Sequence, residues 1–239
     1  MDEGSGAVLG HKNQSWPAPP LFEADWREPS GRLGDDLSQR LAVSRTLMPH
    51  LAFGGRMARI RMTALPFWPG WTAGEALITG AGEDDRVMAF LYGPFGAELL
   101  DGRSDLIHDI NERRGIQLDT DARRQAYLRF FTSAVRGDEG AFFLVESDAR
   151  LAELTGKKPR GAARGLGHPI RSRPAEDDRS LHEAVVLYGA ALFRSTFSIL
   201  PGGMVMMEDD QIVTDEHPGP GFTFDGAFRR PTPAKGDAR

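Results

Sequence analysis

The chain contains 239 residues, of which 40% are hydrophobic and 26% are charged, and its formal net charge is −5 at pH 7. This composition is typical of a globular protein and excludes a fully disordered chain. The sequence has no cysteine, which excludes disulfides, thiolate nucleophiles and Cys-ligated metal or iron–sulfur centres.

The N-terminus and the apolar runs indicate the compartment. The chain begins Met1-Asp2-Glu3, without the basic and then apolar residues of a secretory signal. No stretch approaches the roughly 18 uninterrupted apolar residues that a membrane span needs. We therefore expect a cytoplasmic protein with no membrane-spanning segment, and the lack of cysteine fits a reducing compartment.

Residues 1–33 predict a flexible arm, because a segment rich in Gly, Pro and Ser cannot bury enough apolar surface to fold alone. The arm nevertheless carries Trp16, Phe22 and Trp26, whose rings are costly to leave in water. Two interpretations stay open. The arm packs back onto its own domain, or it is a docking peptide with a short polyproline stretch that binds another protein.

The rest of the chain predicts helices and strands in an irregular order. Apolar residues at helical spacing predict helices over 35–51, 104–115 and 119–136, and alternating or apolar runs predict strands over 56–64, 75–79, 86–92, 141–146, 182–200 and 204–212. The run at 86–92 is apolar on both faces, which is typical of a central strand. Turn residues at 201–203 join the last two strands in a hairpin.

This order lacks regular βαβ alternation. It predicts an α+β fold, with a mainly antiparallel sheet, three or so helices packed against it, and flexible N- and C-terminal tails. We assign residues 34–213 to a single α+β domain that contains a basic Gly-rich loop at 154–175. Residues 214–239 are rich in Pro and Gly and predict a disordered tail.

Four polar residues share one side of the helix that begins at Ser104, since Asp105, His108, Asp109 and Glu112 fall at i, i+3, i+4 and i+7. Three carboxylates and an imidazole at this spacing suit a divalent metal or acid–base catalysis. The same side lies opposite the apolar stripe, so solvation alone also accounts for these residues. We keep His108, Asp109 and Glu112 as catalytic candidates and predict no metal and no cofactor.

The segment 154–175 reverses the acidic charge of the chain, because it has no acidic residue and contains His168 and six basic residues: Lys157, Lys158, Arg160, Arg164, Arg171 and Arg173. Such a segment suits phosphate, nucleic acid or an acidic partner. It contains neither Gly-rich nucleotide-binding motif and no aromatic residue on which a base could stack. The alternative is a solvated loop whose charges meet the acidic run at 208–216.

The loop at 65–71 is aromatic and stiffened by two prolines. Its Phe67, Trp68 and Trp71 suit the wall of an apolar pocket or a protein contact. The alternative is that the loop covers the end of its own core.

These features favour a non-catalytic cytoplasmic binding or adaptor protein that acts through its aromatic and basic surface segments. Its partner would be another protein or a second copy of the chain, and an acidic or phosphate-bearing partner suits the basic segment. Two alternatives stay open. One is a small-molecule or metal-dependent enzyme with a pocket near 65–71, and the other is phosphate or nucleic-acid binding through 157–173.

Overall fold

The computed structural model describes residues 15–47, 55–80, 83–175 and 179–232. These residues form two antiparallel sheets, a two-stranded ribbon and four helices, which confirms the predicted α+β class. The outer parts of both predicted tails, and residues 48–51 of the helix predicted over 35–51, lie outside the described residues. Within the described residues that helix ends at Ala42, earlier than predicted. Within the described ranges, no helix is long and apolar enough to cross a membrane.

The helices are α1 (Gly31–Ala42), α2 (Asp105–Arg114), α3 (Asp121–Ala134) and α4 (Asp148–Thr155). The strands are β1 (Gly55–Ala64), β2 (Thr72–Gly80), β3 (Glu83–Gly93), β4 (Gly96–Leu99), β5 (Arg136–Gly137), β6 (Gly140–Ala141), β7 (Phe143–Leu144), β8 (Arg171–Pro174), β9 (Ser180–Tyr188), β10 (Ala191–Ile199), β11 (Val205–Thr214), β12 (Phe222–Asp225) and β13 (Phe228–Pro231).

The first sheet has the order β1-β2-β3-β13-β12, with β4 also paired to β3. Successive side chains of β3 enter two different cores. Val87 and Leu91 pack in the main core, whereas Met88 and Phe90 pack in a smaller core with Leu41 of α1. Both faces of β3 are therefore covered, and the prediction of a central strand at 86–92 is confirmed.

The second sheet has the order β11-β10-β9-β7, with β8 also paired to β9. The prediction of one long strand over 182–200 is wrong. Gly189 adopts a φ of +56°, which an L side chain disfavours, and the turn there folds the chain back as the β9–β10 hairpin. The hairpin predicted around 201–203 is confirmed as β10–β11.

The helix α4 lies where the sequence predicted no helix, between the strand predicted over 141–146 and the basic segment. Its N-cap is Ser147, whose hydroxyl accepts the N–H of Arg150 at 3.1 Å. Of the strand predicted over 141–146, Ala141 belongs to β6 and residues 143–144 form β7. The helix α4 then leads directly into the basic segment.

The disordered tail predicted from residue 214 is not what the structure shows for residues 222–231. These residues form the β12–β13 hairpin, and β13 pairs with β3. Phe222 and Phe228 are buried, and the Phe222 ring packs edge-on against Phe143 with ring centres 5.5 Å apart. In this segment, the stabilisation from burying aromatic rings exceeds the tendency of the Pro and Gly residues to favour disorder.

The described part of the N-terminal arm packs back onto the domain, which is the first of the two interpretations left open above. Ala18, Leu21 and Phe22 are at most 5% exposed and belong to the main core. Trp16 and Trp26 pack against the same core. The arm is therefore part of the fold from residue 16 onward.

Buried arginines hold the backbone of this arm. Arg61 donates to the carbonyl of residue 18 at 3.1 Å, Arg229 to that of residue 19 at 2.7 Å, and Arg150 to that of residue 20 at 2.9 Å. Glu75, which is fully buried, forms ion pairs with Arg61 and Arg229. Buried charges of this kind need partners, and here the partners come from β1, β2, β13, α4 and the arm.

Candidate anion-binding site

The structure places the aromatic residues predicted as a docking surface in or against the main core: Trp16, Phe22, Trp26, Phe67, Trp68 and Trp71. Four of these rings are at most 8% exposed. Phe67 and Trp68 pack with ring centres 5.1 Å and 6.4 Å from Tyr127 of α3, respectively. The loop at 65–71 thus covers the end of its own core. Its residues also line two cavities, one of about 640 Å³ beside Phe67 and one of about 270 Å³ beside Trp68 and Trp71.

The catalytic candidates on α2 line neither of these two cavities. Asp109 pairs with Arg113 at 2.6 Å, one turn along the same exposed side. His108 has its ring centre 5.8 Å from that of Phe131, and Glu112 is exposed. Among the described residues, no three His, Asp or Glu side chains are arranged to hold a metal ion.

The basic segment begins at the C-terminus of α4, where the chain turns sharply. Gly156 has a φ of +68° and ends the helix in the left-handed conformation. The Thr155 hydroxyl accepts the N–H of Lys157 at 3.3 Å and donates to the carbonyl of Leu151 at 2.8 Å. These contacts fix the backbone direction of Lys157 and Lys158 as they leave the helix.

The segment then folds back against the start of α4. Both carboxylate oxygens of Asp148 accept the N–H of Gly165 at 3.0 Å. Gly167 lies against the backbone of Ser147, where a Cβ atom would meet the carbonyl carbon at 2.6 Å. Gly167 is therefore needed for close backbone packing, whereas Gly161 and Gly165 adopt positive φ values that favour glycine. Ala163 of the same loop is buried.

A second backbone segment, residues 214–218, faces this loop. The N–H of His217 donates to the carbonyl of Ala190 at 3.0 Å, which attaches the segment to the β9–β10 turn. Its Nδ1 lies 2.7 Å from the carbonyl of Pro218. Because a carbonyl only accepts, Nδ1 carries the proton and donates, and Nε2 is the nitrogen left for a ligand.

The loop and this segment enclose a cavity of about 590 Å³. Its polar lining comes from both sides: Lys157, Lys158, Arg160, Thr214, Glu216 and His217. The rest of the lining is Ala162, Ala163 and Pro218. Three cationic side chains therefore share the cavity lining with a single carboxylate.

These cations have no ion-pair partner within 4.0 Å among the described residues, and the same holds for Arg164 and Arg171. In the acidic run, Glu208 instead pairs with Arg179 at 3.4 Å. The direct pairing between the basic segment and the acidic run, which was one interpretation of the sequence, does not occur at Lys157, Lys158 or Arg160. Their charge is available to a ligand.

The second half of the basic segment lies over a different groove of about 460 Å³ on the sheet of β8 to β11. Here His168, Arg171 and Arg194 share the lining with Glu183 and Asp209. The charges are closer to balance than in the first cavity. The groove is consequently a weaker candidate for an anion-binding site.

Comparison with known proteins does not identify this chain. No protein-family model matches it, and no curated protein and no solved structure matches it.

Sequence reasoning found one wall of the cavity and missed the other. Lys157, Lys158 and Arg160 were identified from the local charge. Thr214 and His217 were not, because they fall where the composition predicted a disordered tail. The sequence shows only a threonine, a glutamate and a histidine close together in that tail. These residues indicate no function until the fold places them opposite the basic loop that follows α4.

Proposed function

We propose that the protein binds a phosphate-bearing small molecule in the cavity between residues 157–163 and 214–218. The observation that carries the proposal is the group of three unpaired cations, Lys157, Lys158 and Arg160, on one cavity wall. The guanidinium of Arg160 suits two oxygens of one phosphate, and the two ammonium groups act as mobile point charges. This is a binding function, as the basic segment indicated.

The rest of the lining narrows the ligand class. The cavity has no Phe, Tyr or Trp in its lining, so a nucleobase would find no ring on which to stack. The carboxylate of Glu216 would repel a second anionic group but can accept a hydrogen bond from a hydroxyl. These features favour a phosphate ester that also carries hydroxyl groups, such as a sugar phosphate.

A cytoplasmic location belongs to the same proposal. Phosphorylated metabolites are concentrated inside cells, and the chain has no cysteine that would need oxidation to a disulfide.

The test is a calorimetric titration with a sugar phosphate, the unphosphorylated sugar and inorganic phosphate. We expect the sugar phosphate to bind most tightly and the free sugar not to bind. Replacing Lys158 or Arg160 with Ala should weaken binding about tenfold, because a hydrogen bond to a charged group contributes about 1.5–3 kcal/mol. Affinity should also fall as salt is raised.

The matched control is Arg164→Ala. It removes the same charge from the same segment, but Arg164 is exposed and is not part of the cavity lining. An equal loss in this variant and in Arg160→Ala would contradict a defined cavity. An oligonucleotide that binds tightly would favour the polyanion alternative instead, provided that the Arg164 and Arg171 variants weaken its binding to the same extent.

A further inference from the structure

The strand β11 forms an open edge of the second sheet. It pairs with β10 along one side, and no described strand pairs with its other side. Apart from Val205, Val213 and Thr214, every residue of β11 is exposed. An edge strand of this length presents a row of backbone N–H and C=O groups that another strand can pair with.

The exposed side chains of β11 are both apolar and acidic. Met206, Met207 and Ile212 are 39%, 42% and 61% exposed, which is high for large apolar side chains. Asp209 and Asp210 lie between them and form no ion pair with a described residue. The combination distinguishes this strand from a simple solvated edge, which would carry charges without three large apolar side chains.

The pairing with β10 assigns these side chains to two faces. Met207, Asp210 and Ile212 lie opposite Phe197, Ser195 and Phe193, and therefore share one face of the sheet. Met206 and Asp209 lie opposite residues 198 and 196 and share the other face. A strand added at the edge would meet an acidic group on each face, flanked by apolar side chains.

The charge of β11 argues against a second copy of this chain as the occupant. A two-fold axis would pair β11 with itself in the antiparallel direction. The acidic residues Glu208, Asp209 and Asp210 lie at the middle of the strand, so the axis would bring the two acidic groups together. Like charges directly opposite one another destabilise a strand pair.

We propose that the outer edge of β11 binds an extended segment of a partner protein by strand addition, and that this segment carries two adjacent basic residues between apolar ones. The basic pair would lie opposite Asp209 and Asp210, one on each face. Its apolar residues would cover Met207 and Ile212. Backbone hydrogen bonds would supply affinity, and the charges would select the partner. The proposal does not depend on the anion-binding cavity.

The test uses a labelled peptide of sequence Val-Thr-Val-Thr-Lys-Arg-Val-Thr-Val and a second peptide in which Glu-Glu replaces Lys-Arg. Fluorescence anisotropy with the full chain should show binding of the basic peptide only. The double variant Asp209→Lys with Asp210→Lys should bind the basic peptide at least about tenfold more weakly and should bind the Glu-Glu peptide instead. Amide hydrogen exchange should slow at β11 in the complex.

The matched control is Glu98→Lys, which changes an exposed carboxylate on β4 of the other sheet that has no ion-pair partner among the described residues. Circular dichroism of all variants checks that they are folded. The proposal is overturned if charge reversal at β11 leaves peptide affinity unchanged. It is also overturned if the peptide slows amide hydrogen exchange in another element and not in β11. If neither peptide binds, the proposal is also wrong, and the acidic residues then only prevent strand pairing. Self-association in sedimentation that the double variant abolishes would overturn it as well.

Discussion

Glu75 accepts the backbone N–H of Leu21 through Oε1 at a distance of 3.0 Å, across 54 residues of sequence. The same carboxylate forms ion pairs with Arg61 and Arg229, and all three charged side chains are at most 8% exposed. Burial lowers the pKa of Arg229 to about 10, which still leaves it charged at neutral pH. One carboxylate therefore links the arm, β1, β2 and β13.

We expect Glu75→Gln to destabilise the protein by about 3–5 kcal/mol, because it leaves two buried guanidinium groups without their counter-charge. Urea unfolding at pH 7 measures the change. Glu98→Gln, on the exposed face of β4, is the control and should change stability by less than about 0.5 kcal/mol. A Glu75→Gln protein as stable as the wild type would show that the ion pairs do not hold the arm.

The stability of the protein should depend on the protonation of His182. This fully buried imidazole lies 2.9 Å from Ser172 Oγ through Nδ1 and 2.8 Å from Ser180 Oγ through Nε2. Burial lowers the pKa of His182 to about 4, and Arg124 acts in the same direction while Asp121 opposes it. The folded state therefore keeps the imidazole neutral under conditions in which the unfolded chain protonates it.

The direction of this pH dependence follows from the pKa of His182 in the folded and unfolded states. Above pH 6.5 the imidazole is neutral in both states and its contribution to stability is complete. Between pH 6.5 and 4 only the unfolded chain binds the proton, so stability falls by up to about 1.4 kcal/mol per pH unit, on the order of 3 kcal/mol in total. We expect urea unfolding across this range to show that the unfolding free energy depends less steeply on pH in His182→Gln than in the wild type. The difference in slope should correspond to the uptake of at most one proton on unfolding. Equal slopes in variant and wild type would contradict the prediction.

Asn111 connects the aromatic loop to α3. Its side-chain oxygen accepts the indole N–H of Trp68 at 2.9 Å, and its amide donates to the Tyr127 hydroxyl at 2.9 Å. Asn111→Leu keeps the branched shape of the side chain but leaves the indole N–H buried without an acceptor. We expect a loss of about 1–3 kcal/mol in the free energy of unfolding. In a Trp68→Phe background the same substitution should cost less, and a double-mutant cycle with no coupling would disprove the link.

Gly74 on β2 lies directly opposite Phe90 on β3. A Cβ atom at this position would fall 2.3 Å from the Phe90 ring, which is fully buried and cannot move aside. Gly74→Ala should therefore destabilise the protein by about 1–3 kcal/mol. Gly202→Ala is the control, since a Cβ atom there meets nothing within 4 Å. Thermal unfolding of both variants tests the difference, and two equal melting temperatures would contradict it.

Several elements could be predicted from the sequence because they depend on local patterns. The strand β1, the helix α3 and the central strand β3 follow from residue spacing, since the period of the apolar residues is set by the backbone geometry of each element. The cationic wall of the cavity, Lys157 to Arg160, also followed from a local concentration of charge.

Other features were decided only by the tertiary structure, because their energies come from contacts between residues far apart in the chain. Glu75 and Arg229 are 154 residues apart, and neither has a local sequence context that indicates burial. His217 and Thr214 become part of a cavity wall only because the β9–β10 turn holds them opposite α4. Local periodicity determined which segments form helices and strands, and long-range burial of charged and aromatic groups determined which of them meet.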